Sequence, residues 1–155
     1  MFMFKVLTVF LLGLTVVACA AVDVGRAFPI RNVAKGAFSG IADAKQEVIK
    51  DRAAWEKLWS QHSVNKRGEN KVPEIDFTKE MVIFVAMGRQ RTGGYSIEVV
   101  KVEVVDQKLK ISLKRKTPPP GSMTTMALTA PFHMVAVPKS DLKAEFIEVK
   151  DEQKK

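Results

Sequence analysis

Met81-Val82-Ile83-Phe84-Val85-Ala86-Met87 is an apolar run with no polar alternation, set between Lys79-Glu80 and Gly88-Arg89. A strand with one wet face alternates, whereas one covered on both faces does not, and the run is too short for a buried helix. It is therefore read as the centre of a sheet. Beyond a turn at Gly88 to Gly94, Tyr95 to Val105 (YSIEVVKVEVV) alternates except at Val99-Val100, where the apolar phase slips by one residue and predicts a bulge. Asp106-Gln107 closes a hairpin onto Lys108 to Lys116. There Leu109, Ile111 and Leu113 share one face, and Lys108, Lys110, Ser112 and Lys114 the other, giving a half-buried strand with a basic outer side.

Working outward, Thr117 to Gly121 (TPPPG) cannot lie in a ladder, because its prolines have no amide donor, and it reads as a protruding loop. Met126 to Thr129 reads as a short strand, Phe132 to Val137 as a longer one, Pro138 to Asp141 as a turn and Glu145 to Val149 as the last strand. Upstream, Val33 to Ile41 and Gln46 to Lys50 read as a first strand pair. Trp55, Leu58, Trp59 and His62 then fall at helical spacing, so Asp51 to His62 is an amphipathic helix capped by the Asp51 carboxylate. Ser63 to Thr78 is polar and reads as a surface loop. The expected fold class is α+β: one domain over residues 33–150, mostly antiparallel β-sheet, sandwich-like or open, with one packed N-terminal helix and a charged tail over 151–155.

The whole chain has 155 residues, enough for one ordinary core and too few for two large domains. Its single cysteine and two histidines exclude a disulfide framework and leave too few soft ligands for a structural zinc site built from this chain alone. The formal charge of +8 favours acidic partners or anionic surfaces.

The N-terminus carries an address. Val6 to Val17 is an uncharged apolar run behind Lys5, the layout of a secretory signal over residues 1–18. It ends in Val16-Val17-Ala18-Cys19, which resembles a bacterial lipobox, so Cys19 is expected to become the first mature residue and to carry a lipid anchor. Ala20 after the cysteine implies, by resemblance to lipoprotein sorting, the outer membrane of a bacterial envelope. Residues 19–32 then read as a tether. Ala18-Cys19-Ala20 also fits ordinary signal peptidase, an uncleaved anchor is a further alternative, and Cys19 as a small buried hydrophobe is the plainest one.

The series Trp55-Glu56-Lys57-Leu58-Trp59, Met81 to Val85, Thr92-Gly93-Gly94-Tyr95-Ser96-Ile97, Pro119-Pro120-Gly121, Pro131-Phe132-His133 and Val135-Ala136-Val137-Pro138 resembles the PrcB C-terminal domain family over residues 45–140. The resemblance implies a small bacterial envelope module, generally not an enzyme, whose founding member is an accessory subunit of a surface protease complex. A protein partner is expected, with a protease as the candidate, and no cofactor is expected.

For catalysis the chain is poor. His62 and His133 have no evident companion, Ser96 and Ser122 lack an elbow motif, and no H-E-x-x-H or phosphate-loop lysine occurs, so no catalytic, cofactor-binding or metal-binding residue is expected. His62 reads as a half-buried helix-end residue and His133 as facing a polar edge. The candidate contact surface is the loop containing Arg89, Arg91, Gly93, Gly94 and Tyr95, joined by Pro119, Pro120 and Gly121. The plainer reading of Gly93-Gly94 is a turn needing positive φ, with Tyr95 in the core. Two alternatives remain: a protease inhibitor inserting the Gly88 to Tyr95 loop, whose form is similar to that of chagasin-like inhibitors, or a binder of anionic envelope glycolipid through the basic strand. That strand also reads as an edge protected by lysines. Export argues against nucleic acid, and oligomeric state is open.

Overall fold

The computed structural model describes residues 25–64 and 71–149. The signal segment, Cys19 and the tail lie outside the described residues. The elements run β1 (Arg26–Ala27), β2 (Arg31–Gly36), β3 (Ala44–Ile49), α1 (Arg52–Ser63), β4 (Glu80–Met87), β5 (Ser96–Val105), β6 (Lys108–Lys116), β7 (Phe132–Pro138) and β8 (Lys143–Val149). They form two four-stranded sheets, ordered β1-β5-β6-β8 and β2-β7-β4-β3.

Three layers follow from burial. Met81, Ile83 and Val85 of β4 meet Val135 and Val137 of β7 on one side of their sheet, and across the gap lie Ile97, Val99 and Val102 of β5 with Leu109, Ile111 and Leu113 of β6. The alternate residues Val82, Phe84 and Ala86, with Phe132 and Met134, face the other way onto Trp55, Leu58 and Trp59 of α1. The β4 run lacks alternation for this reason: one face builds the sandwich and the other seats the helix. Asp51 caps α1 as expected, its carboxylate accepting from Ala54 N–H at 2.8 Å. The Trp55 indole donates to Pro73 O at 3.0 Å, which ties the following loop over the helix.

The β5–β6 hairpin turns on Asp106 (φ 50°) and Gln107 (φ 58°), the left-handed pair that a two-residue connection between twisted strands requires. The register slips between Val99 and Lys101, where the bulge was expected.

Other expectations need correction. Val33 to Ile41 and Gln46 to Lys50 do not pair: β2 pairs with β7 and β3 with β4, on opposite edges of one sheet. Sequence neighbours are separated because the connection over residues 37–43 runs past the end of α1, where Gly40 N–H donates to His62 O, and so takes the chain from one edge of that sheet to the other. Part of the expected tether is structured, since Arg26 pairs with Val104, Phe28 N–H donates to Val102 O at 2.8 Å, and Phe28 and Ile30 pack against the sandwich core. Backbone groups of β5 beyond its hairpin partner find their partners there. Met126 to Thr129 forms no strand, only a bridge between Gln90 and Thr129. The last strand lies parallel to β6, with Lys108 beside Lys143 and Lys114 beside Val149, because the chain returns from the far sheet before joining this one. Hence β6 lies inside its sheet and is not an edge.

His62 is fully buried, its ring 5.3 Å from Trp59 and 4.2 Å from Phe132. His133 is also buried, and its Nδ1 accepts from Val99 N–H at 2.9 Å, a bond from one sheet to the other at the bulge. That bond places the ring proton on Nε2 in the neutral form.

Candidate functional site

The end of the molecule where β4 passes to β5 and β6 to β7 is built from two long connections bound to each other. Gly88 leaves β4 at φ 73°, and a Cβ there would stand 2.7 Å from Ala44 N and 2.9 Å from Ala42 O, so only glycine fits. Arg89 follows, its N–H donating to Ala42 O at 2.8 Å. Gln90 and Thr129 exchange backbone hydrogen bonds of 2.7 and 3.0 Å, Thr129 Oγ1 donates to Thr92 O at 2.8 Å, and Gly93 N–H donates to Thr125 O at 2.9 Å. Of the two glycines, Gly94 adopts the positive φ, 88°, and lies against Pro118; Gly93 lies close under Thr125, whose Oγ1 a Cβ there would crowd. Tyr95 is half-buried just before β5.

Residues 117–128 contribute a proline-rich arm. Ser122 N–H and Oγ both donate to Pro119 O, at 3.1 and 2.7 Å, and Gly121 sits at φ 77°, so Pro119 to Ser122 is a β-turn with glycine at its left-handed position. Pro119, Pro120 and Gly121 are exposed at its tip. The two candidate loops are thus brought side by side, with Gly94 touching Pro118 and Gly93 bonded to Thr125.

The sequence did not reveal a third contributor. The segment after β2 crosses the end of α1: Gly40 N–H donates to His62 O at 2.8 Å, Ser39 Oγ lies 2.9 Å from His62 Nδ1 and accepts from Ile41 N–H, and Ala37 O accepts from Ala130 N–H. These bonds hold Phe38 outward, 61% exposed. Phe38 to Gly40, Arg89 and Leu128 to Ala130 line a groove of about 440 Å³. On the connection that supplies Leu128, itself 64% exposed, Met123 and Met126 are also exposed. Large apolar side chains grouped on one exposed connection mark a contact surface. The available signal was Met123, Met126 and Leu128 in a loop otherwise made of Ser, Thr, Ala and Pro.

A second hollow, about 470 Å³, lies between β2 and β7 of one sheet and β5 and β6 of the other, lined by Lys35, Glu98, Lys114 and His133 among others. Lys35 pairs with Glu98 at 2.9 Å, and that hydrogen bond holds the Glu98 carboxyl below its ordinary range. Burial pushes the His133 imidazole down, and Lys35 pushes it further, while Glu98 opposes both. Among the described residues no three of His, Cys, Asp and Glu are grouped to hold a metal ion, and no helix is long and apolar enough to cross a membrane.

The outer face of β6 is less basic than its own sequence suggests. Glu103 stands opposite Lys110 and Glu98 opposite Lys114, Lys108 pairs with Glu145 at 3.4 Å, and Arg115 pairs with Glu148 at 2.6 Å. Neighbouring strands supply counter-charges that reading one strand cannot show.

Residues 81–138 match the family model described as PrcB C-terminal. No curated protein and no solved structure matches the chain. The matched span runs from β4 to β7 and so contains both paired loops, but not α1, whose Trp55 to Trp59 formed part of the resemblance.

Proposed function

From the PrcB C-terminal match over residues 81–138 we propose that this chain is a non-catalytic accessory module that binds or stabilises a protein partner belonging to a protease complex, and from the lipobox-like Val16 to Cys19 that it is lipid-anchored at Cys19 on the outer membrane of a bacterial envelope. The observation that carries the reading is the surface at the β4–β5 and β6–β7 end. There Met123, Met126, Leu128 and Phe38 are exposed together, and Arg89 and Arg91 are also solvent-facing. Apolar side chains joined to arginine are the composition of a protein contact. The residues first singled out, Arg89, Arg91, Gly93, Gly94, Tyr95, Pro119, Pro120 and Gly121, divide by role within this proposal. Gly93 and Gly94 build the scaffold, and the arginines with the Pro119 to Gly121 tip face the partner.

The glycolipid alternative loses its main support, because acidic residues stand beside the β6 lysines.

A photo-crosslinking residue at Met126, compared with one at Lys143 on the far sheet, tests the proposal in intact envelopes. The expected result is one discrete adduct from Met126 alone, whose mass spectrum contains a protease-complex subunit. Equal adducts from both positions, or none from Met126, would overturn it.

A further inference from the structure

We infer that the groove at Arg89 accepts a peptide segment of the partner in which a bulky apolar side chain stands next to a carboxylate; this rests on the partner-binding reading above. Three observations lead there. First, the groove is preformed. The backbone beside each wall is pinned: Ala37 to Ala130, Gly40 to the end of α1, Arg89 to Ala42, and Thr129 to Gln90. Phe38 and Leu128 are therefore presented to solvent from fixed positions, and a partner that covers them does not have to order the loops first.

Second, the two loops are basic. No acidic residue occurs between Glu80 and Glu98 or between Asp106 and Asp141, the two stretches that contain both loops, and the third connection brings one, the exposed Asp43, which is in no ion pair with Arg89. Among the described residues Arg89 holds no ion pair, whereas Lys35, Arg31 and Arg115 elsewhere on the surface each hold a carboxylate. A guanidinium beside an apolar hollow, in no ion pair, is complementary to a carboxylate arriving with an apolar group.

Third, the mode of docking is restricted. The N–H groups of Gly40, Arg89, Thr129 and Ala130, four of the seven lining residues, already donate within the chain, which leaves an extended peptide no continuous ladder of donors and favours engagement through its side chains. A concave volume of about 440 Å³ suits inserted side chains.

The test is a selection of random linear peptides displayed on phage against the purified full-length chain and against Arg89→Glu and Leu128→Asp. Both altered side chains are exposed, so both variants should melt like the parent. The parent should enrich peptides with Leu, Ile, Met or Phe adjacent to Asp or Glu. Arg89→Glu should turn the preference to Lys or Arg, and Leu128→Asp should lower recovery at least tenfold. The inference falls if the parent enriches no peptide, if the enriched peptides lack acidic residues, or if Arg89→Glu enriches the same ones. It falls also if the parent binds phosphatidylglycerol vesicles through Leu128, which would make the site a membrane contact. A Met126 adduct that persists without any selected peptide would leave the partner surface standing and remove only the groove chemistry.

Discussion

Gly88→Ala should be one of the most damaging single-methyl additions this chain can receive, and Gly121→Ala supplies its control. Both glycines hold nearly the same left-handed backbone, φ 73° and 77°. The conformational cost of placing an L side chain there is therefore shared, about 1–2 kcal/mol, less about 0.4–1 kcal/mol because alanine restricts the unfolded chain. What differs is the surroundings. The Gly121 Cβ would meet nothing within 4 Å, whereas the Gly88 Cβ would lie 2.7 Å from Ala44 N and 2.9 Å from both Ala42 O and Asp43 C. These atoms belong to backbone in and beside β3, which is laddered to β4 from Ala44 to Ile49 and cannot swing aside like a side chain. Forcing such a shift adds about 1–3 kcal/mol. Gly121→Ala should then cost at most about 1.5 kcal/mol and Gly88→Ala about 2–4 kcal/mol. For a domain of this size that is a fall in Tm of about 5–15 °C for Gly88→Ala. Urea titrations with a common m-value measure the difference directly. If the two variants agree within about 0.5 kcal/mol, the close approach of β3 to Gly88 is wrong, and with it the account of how Arg89 is aimed.

Three further outcomes are expected. Because burial and Lys35 depress the folded-state pKa of His133, the unfolded chain binds the extra proton first, so its contribution to stability is present above about pH 6.5 and is lost as the pH falls toward the depressed value. His133→Gln, whose side-chain oxygen can still accept from Val99 N–H, should show a smaller loss of urea midpoint between pH 7.5 and 5.5 than the parent; equal losses would refute the linkage. Reversing Lys108, Lys110 and Lys114 to Glu should not leave the fold untouched, since Glu145, Glu103 and Glu98 are their neighbours. A loss of about 1–2 kcal/mol that shrinks in high salt is expected, and an unchanged melting curve would contradict the cross-strand pairing. Cys19→Ser should abolish metabolic labelling with a fatty-acid analogue and leave unprocessed precursor, and persistent labelling would rule out lipidation at that position.

The sequence by itself determined what depends on near neighbours. A seven-residue apolar run bounded by charge and glycine is too short for a buried helix and reads as a strand covered on both faces, so β4 was legible; alternation and its slip at Val99-Val100 located β5 and its bulge; Asp51 and the Trp55, Leu58, Trp59, His62 stripe located α1; three consecutive prolines marked a loop outside any ladder. In each case the deciding interaction is a backbone dihedral, a local hydrogen bond or a side-chain period. Tertiary structure alone decided which strands meet. That β2 joins β7, that β8 runs parallel to β6, and that His133 receives the bulge N–H all involve partners far apart in the chain. The candidate site divides along the same line. Arg89 and the diglycine could be singled out from their own segment, but the groove needs Phe38, Arg89 and Leu128 from three separate connections, and Phe38 stands outward only because Ser39 and Gly40 are fastened to the end of α1. A local pattern records the burial each residue demands, while the identity of the covering residue is set by the packing of the two sheets and the helix, and there the pairing is chosen by the whole chain at once.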